Sequence, residues 1–583
     1  MAMNIDDILK EIGDFGPYQR RIYFLLCLPI IFVGAGNLAY VFIAATPQYR
    51  CLVPKCDCNS TSPVYNETFV NFTIPYINAS ASYDECHRYQ RLDDEDSCLP
   101  EDYSTINITD CPEGQIFADD IYISTLVTEF NLTCHHAWKS QMAQTVYFAG
   151  VLVGAFSFGL VADLIGRKPT IMIGLIGMAS SGIIIALVTG LRAFNVVRFF
   201  NAMVTTAVFQ TAFVLGMEFV GPSKRVMCGI IGEYFFALGE VLLGLIAWWL
   251  KDWRMIQLII SAPVSCFVFY WWFIPESPRW LHAQGRDQKV AALLEKAAKG
   301  NGRRIPPHML RNDSSENADN DEPDVKIINV VTLLDILKTP LLCCRMFSMF
   351  FIWIVTTLVY YGLSINSTKL SSSNTTSSPY VDFIFSALVE LPGYTLAWMG
   401  MSLWGRRGSL ALSLILAGIS CAGAGFASEY NKKYVLIPAL FGKCFITCAF
   451  GIIYVFASEM FPTSVRGTIL GLCSTFARIG AMLAPFSSDL EEIYIPLPMI
   501  VFGVLSFVAG LLNVVMPETL HTILPDSVAD ALHFRKIKSS AVQDSGTTEE
   551  EQNLLNDNES QDHGEQVDGY GSVEVLNENS VEE

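Results

Sequence analysis

The sequence predicts an all-α membrane protein with twelve transmembrane helices in two pseudo-repeated six-helix bundles. Three observations lead there. Apolar windows of about 19 residues, enough to cross roughly 30 Å of hydrocarbon at about 1.5 Å per residue, recur along the chain. Short signatures return after 239 to 242 residues. And 51% of the 583 residues are hydrophobic and only 16% charged, at mean hydropathy +0.37, where soluble domains carry about 25% charge. That composition all but excludes a soluble enzyme. The net charge of −19 is local: residues 541–583 hold 13 Asp/Glu and no Lys/Arg, and subtracting them leaves −6 on the other 540. Nothing in that balance points to a nucleic-acid partner.

In chain order, residues 1–21 form a polar N-terminus with Arg20 and Arg21 at the membrane edge. No small-residue cleavage site follows the first span, so it is not a signal peptide. The apolar windows lie near 22–45, 141–162, 170–190, 194–217, 228–249, 256–275, 341–364, 380–402, 409–428, 434–457, 466–486 and 494–516. They give a first bundle over 22–275, interrupted by a long loop at 46–140, and a second bundle over 341–516. Between them runs loop 276–340, with short amphipathic helices expected around 285–299 and a polar disordered stretch at 311–324. The acidic tail 517–583 has the composition of a disordered segment.

Chemistry assigns the sides. Loop 46–140 carries N-x-S/T sequons at Asn59, Asn66, Asn71, Asn78, Asn107 and Asn131, and the loop after the seventh span carries Asn366 and Asn374. Sequons are read outside the cell or in the lumen, and Asn59, Asn66, Asn71, Asn78, Asn107 and Asn374 are the glycosylation candidates. The same loop holds Cys51, Cys56, Cys58, Cys86, Cys98, Cys111 and Cys134, enough for three disulfides and one remaining thiol in an oxidising compartment. Their pairing is not legible, and the spacing is poor for zinc. Short loops with Arg167-Lys168, Lys224-Arg225, Arg406-Arg407 and Arg466 lie on the opposite, cytoplasmic side. Both chain ends then face the cytoplasm, where the sequons at Asn312 and Asn558 go unused.

The halves echo each other. Glu218 and Arg225 return as Glu459 and Arg466 at an offset of 241, Pro275-Glu276-Ser277 as Pro517-Glu518-Thr519 at 242, and Gly166-Arg167-Lys168 as Gly405-Arg406-Arg407 at 239. Four matches at nearly one spacing describe a duplicated six-span unit, the pattern of transporters whose halves rock about a midplane site. Gly159-Leu-Val-Ala-Asp163-Leu-Ile-Gly166-Arg167-Lys168 resembles the signature of the major facilitator superfamily. It is read as a conformational latch formed with Glu218, Arg225, Glu459 and Arg466. Gly159 permits close helix approach, Asp163 meets a helix N-terminus, and the basic pair anchors the surface. In the second half Trp398 and Ser402 replace the glycine and the acid, so a symmetric latch is not expected there.

More particularly, the chain resembles the organic cation, carnitine and organic anion transporter family of that superfamily over about residues 5–525. The stretches that carry the resemblance are Gly13-Asp-Phe-Gly-Pro-Tyr-Gln19, the Cys-rich first loop, Thr128-Glu-Phe-Asn-Leu-Thr-Cys134, Asp252-Trp-Arg254 with Gln257, Pro275-Glu-Ser-Pro-Arg-Trp-Leu281, Tyr360-Tyr361-Gly362 and Glu390-Leu-Pro392. The resemblance implies a major facilitator fold and movement of small charged organic molecules by alternating access. No phosphate loop, metal set or nucleophile constellation indicates an enzyme, and no cofactor is expected.

Ionisable residues inside spans are costly and mark function or pairing. Those read here are Glu233 and Glu240 in span five, Asp382 and Glu390 in span eight, Lys443 in span ten and Arg478 in span eleven. A cavity with both signs suits cations or zwitterions, with Tyr234, Tyr361, Tyr360 and Tyr40 as aromatic cage members and Asn37 and Gln144 as neutral polar groups. The alternative is that these charges pair to hold helices together. By resemblance, Glu390-Leu-Pro392 fits the cation and carnitine branches, whereas Arg478 fits the carnitine and anion branches. Organic cations or carnitine-like or amino-acid-derived zwitterions therefore rank first. Organic anions, a sugar porter of the same fold and a ligand-binding membrane glycoprotein without turnover follow. Expected partners are the lipid bilayer and a coupling ion, Na+ or H+, if transport is coupled. The plasma membrane is the expected location. Glu550-Glu-Gln-Asn-Leu554-Leu555 matches an acidic dileucine signal for a sorting adaptor and endosomal trafficking.

Overall fold

The computed structural model of the chain describes residues 5–57, 64–77, 82–92, 98–306, 333–369, 378–430, 434–520, 525 and 531–532. The chain divides into two units, 1–535 and 536–583, and every described residue lies in the first. Among the described residues, twelve helices are long and apolar enough to span a membrane. They are Pro17–Ile43, Cys134–Ile165, Arg167–Leu187, Leu191–Phe219, Pro222–Leu250, Trp253–Phe273, Pro340–Thr368, Pro379–Leu403, Gly405–Tyr430, Leu436–Met460, Val465–Glu491 and Leu497–Val514. Each overlaps one of the apolar windows, so the chain is a multi-pass, mostly helical membrane protein.

Proline chemistry explains where these helices depart from regularity. The first starts at Pro17, earlier than hydropathy indicates, because proline's fixed φ and missing N–H suit the first helical position. In the sixth, Pro263 cannot donate to the carbonyl four residues back, and the α-helix gives way after Ser261 to a 3₁₀ stretch over Ala262–Phe269. In the eighth, Pro392 removes the bond to Leu388, and the helix splits into Pro379–Leu388 and Glu390–Leu403. Glu390 therefore stands at the break, at the start of the inner half-helix.

Each half has its own apolar core. Ile171, Leu175, Val208, Leu215 and Tyr270 lie in that of the first half, and Trp353, Leu414, Ile446, Phe456 and Phe502 in that of the second. Where helices approach closely, size decides. A Cβ on Gly154 would sit 2.6 Å from the Met203 Cα, so only glycine lets spans two and four touch there. Gly159 does not play that part: the nearest atom its Cβ would meet is Gln210 Nε2 at 3.6 Å, an ordinary contact.

The loop at 46–133 defines what we term the outer face. It carries three two-stranded antiparallel sheets, pairing Tyr49–Cys51 with Gln115–Phe117, Tyr76–Ile77 with Ser82–Tyr83, and His87–Arg91 with Tyr103–Asp110. Disulfides join Cys51 to Cys111, Cys56 to Cys98 and Cys86 to Cys134; Cys58 lies outside the described residues. Arg50 and Asp57, both buried, form a two-pronged ion pair at 2.9 and 2.8 Å. Asn66, Asn71, Asn107 and Asn131 are exposed, while Asn59, Asn78, Asn374, Asn312 and Asn558 lie outside the described residues. Asn366 departs from its reading as a loop sequon. It is buried at the end of the seventh span, donating to Gly362 O at 2.9 Å and Ser487 Oγ at 2.7 Å.

Segment 120–130 is stitched to the first half. Ile123 N donates to Lys251 O at 3.0 Å and Trp253 N to Ser124 O at 3.2 Å. Glu129 accepts from Trp253 Nε1 at 2.9 Å and from Arg254. The same segment touches the second half, where Tyr380 donates to Ile121 O at 2.8 Å and its ring meets that of Tyr122.

On the opposite, basic face, the N-terminal segment is folded rather than merely polar. Helix Ile5–Glu11 buries Ile5, Ile8 and Leu9 against Trp280, Leu281, Val290 and Leu294 of helices Pro278–Ala283 and Asp287–Gly300. Helix Asp287–Gly300 falls where amphipathic helix is expected, around 285–299, and Pro278–Ala283 precedes that range; the polar stretch at 311–324 lies outside the described residues.

Candidate functional site

Two constellations occupy the places where the sequence concentrates chemistry: paired turns on the basic face and a charged cluster at mid-span. In the first turn Gly166 takes φ +105, a left-handed conformation that glycine adopts without strain. It exposes the N-terminus of span three, where the orphan N–H groups of Arg167 and Lys168 donate to Glu276 Oε1 at 2.9 and 3.2 Å. A carboxylate at a helix start also meets the positive end of the macrodipole. Arg167 pairs with Asp163 at 2.9 Å and Glu218 at 3.4 Å. The repeat builds the same object: Gly405 at φ +82, Arg406 N and Arg407 N donating to Glu518 at 2.8 and 3.1 Å, and Arg406 pairing with Glu459 at 3.1 Å.

One expectation changes accordingly. Asp163 does not meet the helix N-terminus. Its side chain is 72% exposed and bonds its own helix's Arg167, because Glu276 already fills the position at the N–H groups. Arg225 pairs with Asp6 at 2.5 Å, and Arg279 joins it on the same carboxylate. The capped turn itself recurs in both halves, since the Glu518 cap does not depend on the acid that Ser402 replaces. Arg466 begins the eleventh span and Lys168 lies over the Trp271 ring, 4.8 Å from its centroid.

At mid-span, the break after Leu388 brings Glu390 to Lys443 Nζ at 2.7 Å, both fully buried. Tyr360 donates to Glu390 Oε1 at 2.8 Å and contacts Glu240 Oε1 at 3.3 Å. Lys443 also donates to Ser364 Oγ and sits 3.5 Å from the Tyr360 ring centroid. Since Glu240 belongs to the fifth span and the others to spans seven, eight and ten, the cluster bridges the halves. Around it, Tyr394 reaches Glu233 Oε2 at 3.4 Å, Tyr234 and Thr395 share a hydrogen bond at 2.7 Å, and Asn37 donates to the Tyr361 hydroxyl at 3.1 Å. These too join the two halves. Glu233, Tyr234, Tyr361 and Arg478 are half-buried. Among the described residues Arg478 forms no ion pair with a carboxylate; Tyr454 is its hydrogen-bonding neighbour. Asp382 lies apart, buried in the first turn of the eighth span.

Sequence reading missed two arginines inside the apolar windows, Arg198 and Arg345. Arg198 in span four is buried, donating to Gln144 Oε1 at 2.7 Å with its guanidinium carbon 4.4 Å from the Tyr40 ring centroid and 4.7 Å from that of Tyr147. Tyr40 and Gln144 thus serve the chain's own cation. The signal was an arginine within an apolar window. Glu276 and Glu518 were visible as repeat partners but had been given no task; the recurrence of an acid after each half's sixth helix could have found them.

The family model described as "Sugar (and other) transporter" matches residues 63–525. The chain is 34% identical over 557 residues to the organic cation transporter protein of Drosophila melanogaster, covering 95% of this chain and 99% of that one. It is 32% identical over 544 residues to organic cation/carnitine transporter 2 of Homo sapiens, covering 91% and 95%. Among solved structures, the partially occluded inward open conformation of the xylose transporter XylE from E. coli aligns at TM-score 0.57 and 14% identity, covering 87% of this chain and all of that one; this likeness bears on the fold alone. Alike over nearly its whole length to such carriers, the chain belongs to the organic cation transporter family within the sugar (and other) transporters and is a membrane transporter, not an enzyme.

Proposed function

We propose that the protein carries small organic cations or amine–carboxylate zwitterions across the plasma membrane by alternating access of its two halves. The observation that carries this reading is the mid-span cluster of Glu390, Tyr360, Glu240 and Lys443. Carboxylates and an aromatic face at low dielectric are the groups that attract an organic ammonium, and they come from both halves. The names of the relatives, organic cation and organic cation/carnitine transporters, agree with it.

Each residue has a task under this reading. Glu233 offers the half-buried carboxylate and Tyr234 and Tyr361 the aromatic walls; Asn37, bonded to Tyr361, fixes one wall across the halves. Glu240, Glu390 and Lys443 form the buried floor. Arg478, which has no carboxylate partner among the described residues, favours a substrate that also carries a carboxylate, so zwitterions stand beside simple cations and organic anions second. The paired turns at Gly166 and Gly405 hold each half rigid on the basic face while the halves rock. Bundles over 22–275 and 341–516, with the sequon-bearing loop outside the cell and N- and C-termini inside, complete the arrangement. Na+ or H+ coupling and an adaptor at Leu554-Leu555 are further parts of the proposal.

Uptake of labelled tetraethylammonium, carnitine, β-alanine and a dicarboxylate by cells expressing the protein tests it. The first two or three should exceed background, and Glu390→Gln should lower cation uptake while surface expression persists. Uptake of the dicarboxylate alone would overturn the substrate order, and failure of preloaded substrate to exchange would remove transport of this class altogether.

A further inference from the structure

Glu390 Oε1, the Tyr360 ring and Ser364 Oγ, which would hold a substrate ammonium at the floor of the site, are already held by an ammonium of the chain. Lys443 Nζ lies 2.7 Å from Glu390 Oε1 and 3.5 Å from the Tyr360 ring centroid, and it donates to Ser364 Oγ. A carboxylate, an aromatic face and a hydroxyl converging on one cation make the recognition set for an organic ammonium. Lys443 is 1% exposed and Glu390 0%. The second carboxylate oxygen, Glu390 Oε2, is buried without a hydrogen-bond partner, so the set is not saturated. Glu240 waits on the same Tyr360 hydroxyl from the opposite half, at 3.3 Å.

We infer that Lys443 is a specificity-determining residue, a tethered cation that competes with substrate for the Glu390–Tyr360 cage and thereby favours ligands that bring their own carboxylate. The inference rests on the proposed function, in which substrate reaches this cluster. An ammonium arriving at Glu390 must displace Lys443, and a buried lysine stripped of its anion is strongly disfavoured. A simple organic cation offers nothing to replace the lost carboxylate; the lysine can then turn toward Glu240, which already shares the Tyr360 hydroxyl. A zwitterion exchanges partners instead: its ammonium takes Glu390 and its carboxylate takes Lys443, with Arg478 as a second cation. The number of buried ion pairs does not fall. The device therefore discriminates by the charge pattern of the ligand, not by its size.

Purified full-length protein, with equilibrium binding of labelled tetraethylammonium and carnitine, tests this directly. Lys443→Gln, which keeps hydrogen-bonding reach but removes the competing charge, should tighten tetraethylammonium about tenfold and weaken carnitine by about the same factor. Lys443→Arg retains the charge and grips Glu390 with a two-pronged fork, so it should weaken tetraethylammonium more than carnitine. Equal changes for both ligands in a folded Lys443→Gln protein would reduce the pair to a helix tie and overturn the inference. If that variant does not fold, an unaltered tetraethylammonium-to-carnitine ratio in Lys443→Arg overturns it equally. Wild-type protein that binds neither ligand would overturn the proposed function and this inference together, whereas wild-type binding with an unchanged ratio in the variants defeats the inference alone.

Discussion

Removing the Glu276 carboxylate should cost more than removing the acid of the superfamily signature, Asp163. Glu276 accepts the N–H groups of Arg167 at 2.9 Å and Lys168 at 3.2 Å. Losing a helix cap costs about 1 kcal/mol, and losing the charge at the dipole's positive end about 0.3–1 kcal/mol more. Glu276→Ala should therefore destabilise by about 1.3–2 kcal/mol. Glu276→Gln retains an acceptor oxygen, and only the charge contribution of about 0.3–1 kcal/mol disappears. Asp163, 72% exposed, makes an i,i+4 pair with Arg167 worth about 0.3–0.5 kcal/mol, so Asp163→Asn should be nearly silent. Glu518→Ala should resemble Glu276→Ala, because Glu518 receives Arg406 N and Arg407 N in the same way. Thermal unfolding of detergent-solubilised protein, followed with a thiol-reactive dye, suits the comparison because Cys27, Cys228, Cys421, Cys448 and Cys473 are buried until the bundle opens. The reasoning fails if Asp163→Asn lowers the melting temperature as much as Glu276→Ala, or if Glu276→Ala and Glu276→Gln are equal.

Two further outcomes concern the outer face. Partial burial pushes the Glu129 carboxyl up, but hydrogen bonds from Arg254 and Trp253 and the guanidinium charge outweigh it and hold the group below its ordinary 4.5. A depressed carboxylate contributes stability above its unfolded value and loses it as pH falls through the folded one. The melting temperature of wild type should thus exceed that of Glu129→Gln at neutral pH, and the gap should close only below pH 4.5; a gap that closes at higher pH contradicts this. For the sequons, Asn66→Gln, Asn71→Gln and Asn107→Gln should each raise electrophoretic mobility in untreated protein but not after glycosidase treatment. Asn366→Gln should leave mobility unchanged, since its amide is buried against Ser487.

Much of the fold was legible because hydrocarbon thickness imposes a length on every span and duplication imposes a period. Gly166 and Gly405, Glu218 and Glu459, and the two Pro-Glu dipeptides are visible as strings, and each pair occupies equivalent positions in space. What the strings do not carry is partner choice. Asp163, Glu218 and Glu276 all compete for one arginine and one helix end, and only the turn at Gly166 decides that Glu276 receives the N–H groups. Glu390, Lys443 and Glu240 were legible as expensive charges, but their convergence depends on the break that Pro392 makes in span eight. Arg198 escaped because its compensation is aromatic rather than acidic: Tyr40 and Tyr147 read as ordinary packing until the guanidinium is placed between them. Disulfide pairing likewise depends on how the outer loop folds, which the spacing of seven cysteines does not encode.

The stapled outer loop has an asymmetric mooring. Glu129, Ser124 and Ile123 fasten it to the Lys251–Arg254 turn of the first half, whereas Tyr380 alone supplies the hydrogen bond we describe to the second. If the halves rock as proposed, the loop travels with one of them and behaves as a doorstop to the other: swinging the outer end apart must first pull the Tyr380 hydroxyl from Ile121 O. Sugars or antibodies bound to that loop would then load the door itself, altering how often it opens without touching the passage behind it.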